Sequence, residues 1–143
     1  MAYMSLLYHV VFATKDRRNT MPEKLQPRMW SYMGGIARKN GFKVLAAGGV
    51  ENHAHLVLSL PATVPIAKAV QLIKTGSSKS VHDELGRKLF TWQESYGAFT
   101  IAISQLDATR RYIERQADHH RKRDFQSERS AILERHHLKE FQK

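Results

Sequence analysis

The sequence predicts an α+β fold of the ferredoxin-like, split βαβ kind: an antiparallel sheet with helices on one face. Three observations predict it. Periodic segments follow the order strand, helix, strand, strand, helix, strand, which suits two βαβ halves sharing one sheet. The stretch Val50 to Leu60, VENHAHLVLSL, alternates, so Ala54, Leu56, Leu58 and Leu60 face one way and His53, His55, Val57 and Ser59 the other. Each of the first two helical segments carries a single apolar stripe and so has one face to bury. The 143 residues suit one domain with a real core. A further helix, bearing a tyrosine, follows the last strand and is expected near the other sheet face.

Ser5 to Thr14, SLLYHVVFAT, is rich in β-branched and aromatic residues and reads as a central strand. It runs into a basic cluster, Lys15, Arg17 and Arg18, which puts cations at a strand end; alone, this is equally an ordinary solvated turn. Pro22 to Asn40 reads as a helix, with Leu25, Met29, Met33, Ile36 and Ala37 on one stripe. Pro22 suits its first turn and Gly41 the position just past its end. Gly34-Gly35 inside it costs about 1 kcal/mol per glycine relative to alanine, and close packing against the sheet would account for the pair. Phe42 to Ala47 is the second strand, and Gly48-Gly49 is expected to make a tight hairpin turn into the His-Ala-His strand.

Pro61 ends that strand, and Pro65 opens a helix of about 17 residues with Ile66, Val70, Ile73 and Val81 on its buried stripe. Lys68, Lys74, Lys79 and Gly76-Ser77-Ser78 fall on or near its outer side. Amides, hydroxyls and lysines so placed suit phosphates; a solvated helix face is the alternative. Leu89 to Trp92 and Ala98 to Ser104 read as short strands around a turn from Glu94 to Gly97. Ser104-Gln105-Leu106-Asp107 matches a capping box in its acidic variant and starts a helix running to about Asp118. Residues 1–120 thus form the domain. Residues 121–143 are a highly charged tail or amphipathic helix, either part of that domain or a dimer contact.

Charge narrows the function. Lys plus Arg number 23 against 13 acids, for a net charge of +10 and a pI near 10.1, which makes nucleic acid the natural partner of a small globular protein. The absence of cysteine excludes disulfides and thiolate metal sites and favours a cytoplasmic address. No apolar run approaches the roughly 20 residues that span a bilayer, so no membrane role is expected. Ser5 to Ala13 is apolar, but it is short and lacks the flanks of a signal peptide.

His53 and His55 lie on one face of a strand, with Cβ atoms roughly 6.5–7 Å apart at strand rise. Two imidazoles so spaced can converge on one metal ion if a third group closes the site; read alone, they are equally two histidines on an open sheet face. Tyr112 and Gln116 are four apart on the last helix and so share a face, with Leu106, Ile113 and Ala117 as the buried stripe. Arg110, Arg111 and Arg115 surround the tyrosine in sequence. A phenol with a pKa near 10 is a poor nucleophile unaided, but neighbouring cations and a metal-bound phosphate can stabilise the phenolate. Gln116 offers an amide oxygen that a hard cation accepts. By itself Tyr112 is a half-buried tyrosine on an amphipathic helix; the combination of motifs is what points to chemistry.

His53-Ala54-His55 followed by Leu56-Val57-Leu58, then Tyr112 and Gln116, resembles the HUH single-tyrosine transposases, the group of insertion-sequence transposases and REP-associated tyrosine transposases. The opening YHVVFATK, the stretch LIKTGSSK and the pattern Trp92, Tyr96, Phe99 are similar to the same group, and the resemblance spans nearly all of residues 5–120. Asn52 stands just before the motif, where relatives often carry an acid. The resemblance implies a transposase that cleaves and rejoins single-stranded DNA through a 5′-phosphotyrosine at Tyr112. His53, His55 and Gln116 would hold Mg²⁺ or Mn²⁺. It also implies a homodimer that recognises hairpin ends. Imidazole suits Zn²⁺ or Mn²⁺ better than Mg²⁺, so the choice of metal rests on the resemblance alone.

The remaining basic side chains proposed for DNA are Lys15, Arg17, Arg18, Lys74, Lys79, Arg111 and Arg115, with His120 as an accessory one turn beyond Gln116. His9 shares parity with Leu7 and Val11 and reads as a core or sheet-face residue. The competing function is a non-catalytic binder of single-stranded or hairpin nucleic acid on the same fold. A sheet-face RNA binder would carry stacking aromatics where this chain carries histidines. A third reading is a metal-binding or regulatory protein whose histidines hold Zn²⁺ and whose Tyr112 is structural.

Overall fold

The computed structural model describes residues 3–116. Strands β1 (Leu7–Ala13), β2 (Lys43–Val50), β3 (His53–Ser59) and β4 (Gly97–Ile101) form one sheet in the order β2-β3-β1-β4. All three neighbouring pairs are antiparallel. Helices α1 (Gln26–Lys39) and α2 (Ile66–Leu85) cover one face, and the shorter α3 (Leu106–Glu114) lies against the other. This is the split βαβ sandwich expected from the element order. The charged tail and His120 lie outside the described residues.

Alternation on the two central strands sorts the side chains. Val10 and Phe12 of β1 and Ala54, Leu56 and Leu58 of β3 enter the main core. There they meet Met29, Met33 and Ala37 of α1 and Ala69, Val70, Ile73 and Val81 of α2. The opposite face carries His9, His53 and His55, all buried, beside a smaller cluster of Ala46, Val57 and Ile113. Burial of both faces follows from α3, which seals the side that the first two helices leave open.

Several local expectations are corrected. Gly48 and Gly49 do not form the hairpin turn; they lie inside β2, and the turn falls at Glu51 and Asn52. The glycines serve close approach instead. A Cβ on Gly48 would sit 2.2 Å from the Ile113 carbonyl oxygen, and one on Gly49 would sit 2.2 Å from the His53 carbonyl oxygen. Helix α1 starts at Gln26 rather than Pro22, with Pro27 in its first turn, where a missing N–H costs nothing.

Gly41 does terminate α1. With φ of +81°, it donates to Arg38 O while Phe42 donates to Ala37 O, the paired bonds of a Schellman cap. Gly34 and Gly35 do not owe their place to close sheet packing, because a Cβ at either would meet only the tip of Arg38, at 3.6 and 3.8 Å. The close helix contact is at Gly76, where a Cβ would lie 2.7 Å from Ile36 Cδ1.

The segment from Leu89 to Trp92 is not a strand. It touches the sheet through one bridge, Thr14 with Trp92, and is fastened to α2 by the Trp92 Nε1–H donating to Ser77 Oγ at 3.1 Å. The stretch read as phosphate-binding, Gly76-Ser77-Ser78, therefore holds helix to helix and helix to loop. The capping box at Ser104 is also absent: a 3₁₀ turn over Ile103–Gln105 precedes α3, and Gln105 Oε1 accepts from the Ala102 N–H at 2.8 Å.

Candidate active site

Two strands and the segment of the last helix build the site. Antiparallel pairing sets Val11 opposite His55 and Ala13 opposite His53, which brings His9 diagonally to His55. The His9 and His55 rings lie 5.2 Å apart between centroids, and His53 and His55 5.1 Å apart. His9 Nε2 and His55 Nδ1 share a hydrogen bond of 3.0 Å. His53 Nδ1 is 2.9 Å from Asn52 Oδ1, which can only accept, so the His53 proton sits on Nδ1. The Asn52 amide is oriented by its Nδ2 reaching Arg17 O at 3.5 Å.

Helix α3 and the residues just past its end supply the rest. Thr109, Ile113 and Gln116 turn inward at helical spacing and are buried, while Arg110, Arg111 and Arg115 are exposed. Tyr112, half-buried, stands edge-on to both rings, 5.7 Å from His55 and 6.2 Å from His9 between centroids. Gln116 is 1% exposed, and its Nε2–H donates to Tyr112 O at 3.2 Å. Its Oε1 is buried and makes no hydrogen bond, and the same is true of the His55 Nε2 atom. All four residues singled out from the two motifs are thus gathered on one sheet face.

This donor set fits a divalent cation. Each strand imidazole has Nδ1 in a hydrogen bond, the buried His55 Nε2 makes none, and a buried amide oxygen without a donor is costly unless something charged meets it. Among the described residues no three His, Cys, Asp or Glu side chains form a metal-holding group, and the Gln116 amide oxygen is a buried oxygen of the same face that an ion could meet. Two imidazoles and one amide oxygen suit Mn²⁺ by softness and Mg²⁺ by the oxygen alone.

The basic residues divide. Lys15, Arg17 and Arg18 are exposed on a turn just after β1, in which Asp16 and Arg17 take left-handed φ values of 55° and 53°. That turn adjoins the site, because Arg17 O holds Asn52, which holds His53. Strain at the two residues, of order 1–2 kcal/mol each, is offset by bonds from Thr14 Oγ1 to Arg18 O at 2.6 Å and from the Asp16 N–H to Gln93 Oε1 at 3.0 Å.

Lys79 is exposed and lies 3.9 Å from Asp83. Lys74 has an internal role: its ammonium donates to the carbonyls of Gln93, Glu94 and Ser95 and stands 5.6 Å over the Phe12 ring, on the helix-covered side of the sheet. Burial lowers its pKa from the ordinary lysine value, with Glu94 opposing. His9, expected as a core or sheet-face residue, is buried on the same face as the two strand histidines. Its parity on β1, combined with β1 being the neighbour of β3, was the available signal.

A family model of IS200-like transposases matches residues 2–116. The chain belongs to that family. The transposase is 26% identical over 119 residues to the ISDra2 transposase TnpA of Deinococcus radiodurans, covering 79% of this chain and 85% of that one. It is 23% identical over 86 residues to the IS200 element transposase of Salmonella typhimurium, covering 60% of this chain and 57% of the relative.

Two solved structures share the fold of the transposase. One, of a protein assigned as a transposase from Deinococcus radiodurans, has a TM-score of 0.67 at 22% identity, over 80% of this chain and 93% of that one. The other, a REP-associated tyrosine transposase bound to a REP hairpin, has a TM-score of 0.58 at 16% identity, over 79% of this chain and 67% of that one. The family resemblance drawn from the His-x-His and Tyr-x-x-x-Gln motifs is therefore correct. No helix among the described residues is long and apolar enough to cross a membrane.

Proposed function

We propose that the transposase cleaves and rejoins single-stranded DNA with Tyr112 as nucleophile and a divalent ion, Mn²⁺ or Mg²⁺, at His53, His55 and Gln116. The observation that carries this reading is the convergence on one face of Tyr112, the two strand imidazoles and the donor-less buried Gln116 Oε1. When bound, the ion supplies Lewis-acid polarisation of the scissile phosphate. Tyr112 Oη forms a bond to phosphorus, the P–O3′ bond breaks, and the phenol proton is balanced by the proton that completes the 3′-hydroxyl. The 5′-phosphotyrosine keeps the phosphodiester's energy, so a 3′-hydroxyl can reverse the step without ATP.

Partial burial of Tyr112 among rings limits its freedom, which favours in-line attack by positioning. Exposed Lys15, Arg17, Arg18, Lys79, Arg111 and Arg115 are assigned to the DNA backbone; the cations on the turn after β1 lie beside the Asn52–His53 pair. Lys74 was grouped with them by sequence, and its carbonyl partners favour a structural role. A hairpin-bearing strand as substrate is supported by the neighbour bound to a REP hairpin, and the homodimer by the family resemblance.

The test is a denaturing gel for a protein–DNA adduct. Single-stranded oligonucleotides tile both flanks of the gene, with Mn²⁺ or Mg²⁺, and wild type runs beside Tyr112→Phe. A metal-dependent adduct absent in the variant is expected. Hairpin binding with no adduct on any tile would favour the non-catalytic binder.

A further inference from the structure

We propose that His9 is a positioning residue for the ion site, accepting the Nδ1–H of His55 and so presenting that ring's Nε2 as a bare lone pair. The inference deepens the metal reading above and rests on it. It starts from one bond: His9 Nε2 and His55 Nδ1 are 3.0 Å apart, and both rings are buried. Only one of these two nitrogens carries the shared proton, and which one decides what His55 can do. If His9 donates, the His55 proton moves to Nε2 and that nitrogen cannot ligate. If His55 donates, Nε2 is open to an ion. A ligating His55 therefore requires His9 as acceptor, with the His9 proton on its own Nδ1.

The arrangement parallels the bond at the other ligand, where Asn52 Oδ1 accepts from His53 Nδ1. Each strand imidazole thus has one neutral acceptor that fixes both tautomer and ring orientation, the device by which outer groups tune metal ligands. The β-sheet makes the acceptor rigid. His9 sits on the central strand β1, opposite Val57 on one side and Phe99 on the other, so its backbone is held from both sides while its ring is buried. The His9 ring also stands edge-on to Tyr112 at 6.2 Å, so its orientation sets one wall beside the nucleophile as well.

The experiment is Mn²⁺ titration of the full chain, without DNA, by calorimetry or by loss of the free-ion electron paramagnetic resonance signal. Wild type, His55→Ala, His9→Phe and His9→Gln are compared. Phe fills the space without an acceptor, whereas Gln places an amide oxygen near the position of Nε2. His9→Phe should weaken Mn²⁺ binding by roughly 10–100-fold, and His9→Gln should stay within about threefold of wild type. Equal affinity of His9→Phe and wild type overturns the inference. So does equal weakening in Phe and Gln, which would mark a packing role.

A wild type that binds no Mn²⁺, or a His55→Ala variant that binds as well as wild type, overturns the metal reading itself and this inference with it. Long-range ¹H–¹⁵N spectra of the metal-free wild type give a readout that needs no variant to fold. His55 protonated on Nδ1 is expected, and His55 protonated on Nε2 would overturn the inference.

Discussion

Gly48→Ala would separate the placement of the tyrosine helix from the stability of the fold. Gly48 pairs with His55 across the β2–β3 ladder and lies under α3. A Cβ built there sits 2.2 Å from Ile113 O and 3.0 Å from Ile113 Cγ2, whereas real Cβ atoms essentially never come within 3.0 Å of a neighbour. The contact atom is helix backbone, so no rotamer change relieves it, and α3 must lift by about 0.8 Å or β2 must bend by as much.

Tyr112 rides on that helix and Gln116 follows two residues past its end, while His53 and His55 stay on β3. The substitution therefore opens the gap between the two halves of the site. Misplacement of about 1 Å costs on the order of 100-fold in rate, and overpacking costs about 1–3 kcal/mol in stability. Single-turnover adduct formation on a cleavable oligonucleotide, with urea melts on the same preparation, measures both. A folded Gly48→Ala chain with an adduct rate within about threefold of wild type would refute the reasoning, because the 100-fold estimate depends on α3 resting directly on β2.

Other substitutions probe separate parts. Gly34→Ala and Gly35→Ala should each stabilise by about 0.4–1 kcal/mol, read as a higher Tm, since the added methyl meets only the mobile tip of Arg38. Gln116→Leu should change metal-free stability by less than about 1 kcal/mol, because it removes one weak bond together with a buried donor-less oxygen. The same change should abolish the Tm shift produced by Mn²⁺.

Lys74→Met tests the buried ammonium. Its pKa is lowered by burial, so near the ordinary value of 10.5 the unfolded chain binds more protons than the folded one. Wild-type stability relative to Lys74→Met should be flat at neutral pH and rise as pH climbs from the lowered pKa toward 10.5, measured by urea melts between neutral pH and that value.

The fold was legible where periodicity and end signals agreed. Alternation along β3 assigned its two faces correctly, residue by residue, and Gly41 marked the end of α1. Local signals failed where tertiary contact decides. Gly48-Gly49 looked like a turn because glycine's lack of a side chain serves turns and close approaches alike, and only the position of α3 distinguishes them. Ser77 and Ser78 looked like a phosphate-binding pair, yet Ser77 is buried against Trp92 and Ser78 Oγ reaches Phe90 O at 3.4 Å, partners that lie 15 and 12 residues away.

The site was half legible. His53, His55, Tyr112 and Gln116 were visible as two motifs. His9 was not, because its role depends on the strand order that sets β1 beside β3. No local periodicity encodes that neighbour.

The central claim is that Tyr112 carries the DNA. Its most direct test is peptide mass mapping of the trapped adduct, trimmed by nuclease and digested with protease. The account predicts a residual 5′-phosphonucleotide on the peptide containing Tyr112, formed only with divalent metal. A nucleotide on any other residue, or a 3′-phosphate link, would contradict it.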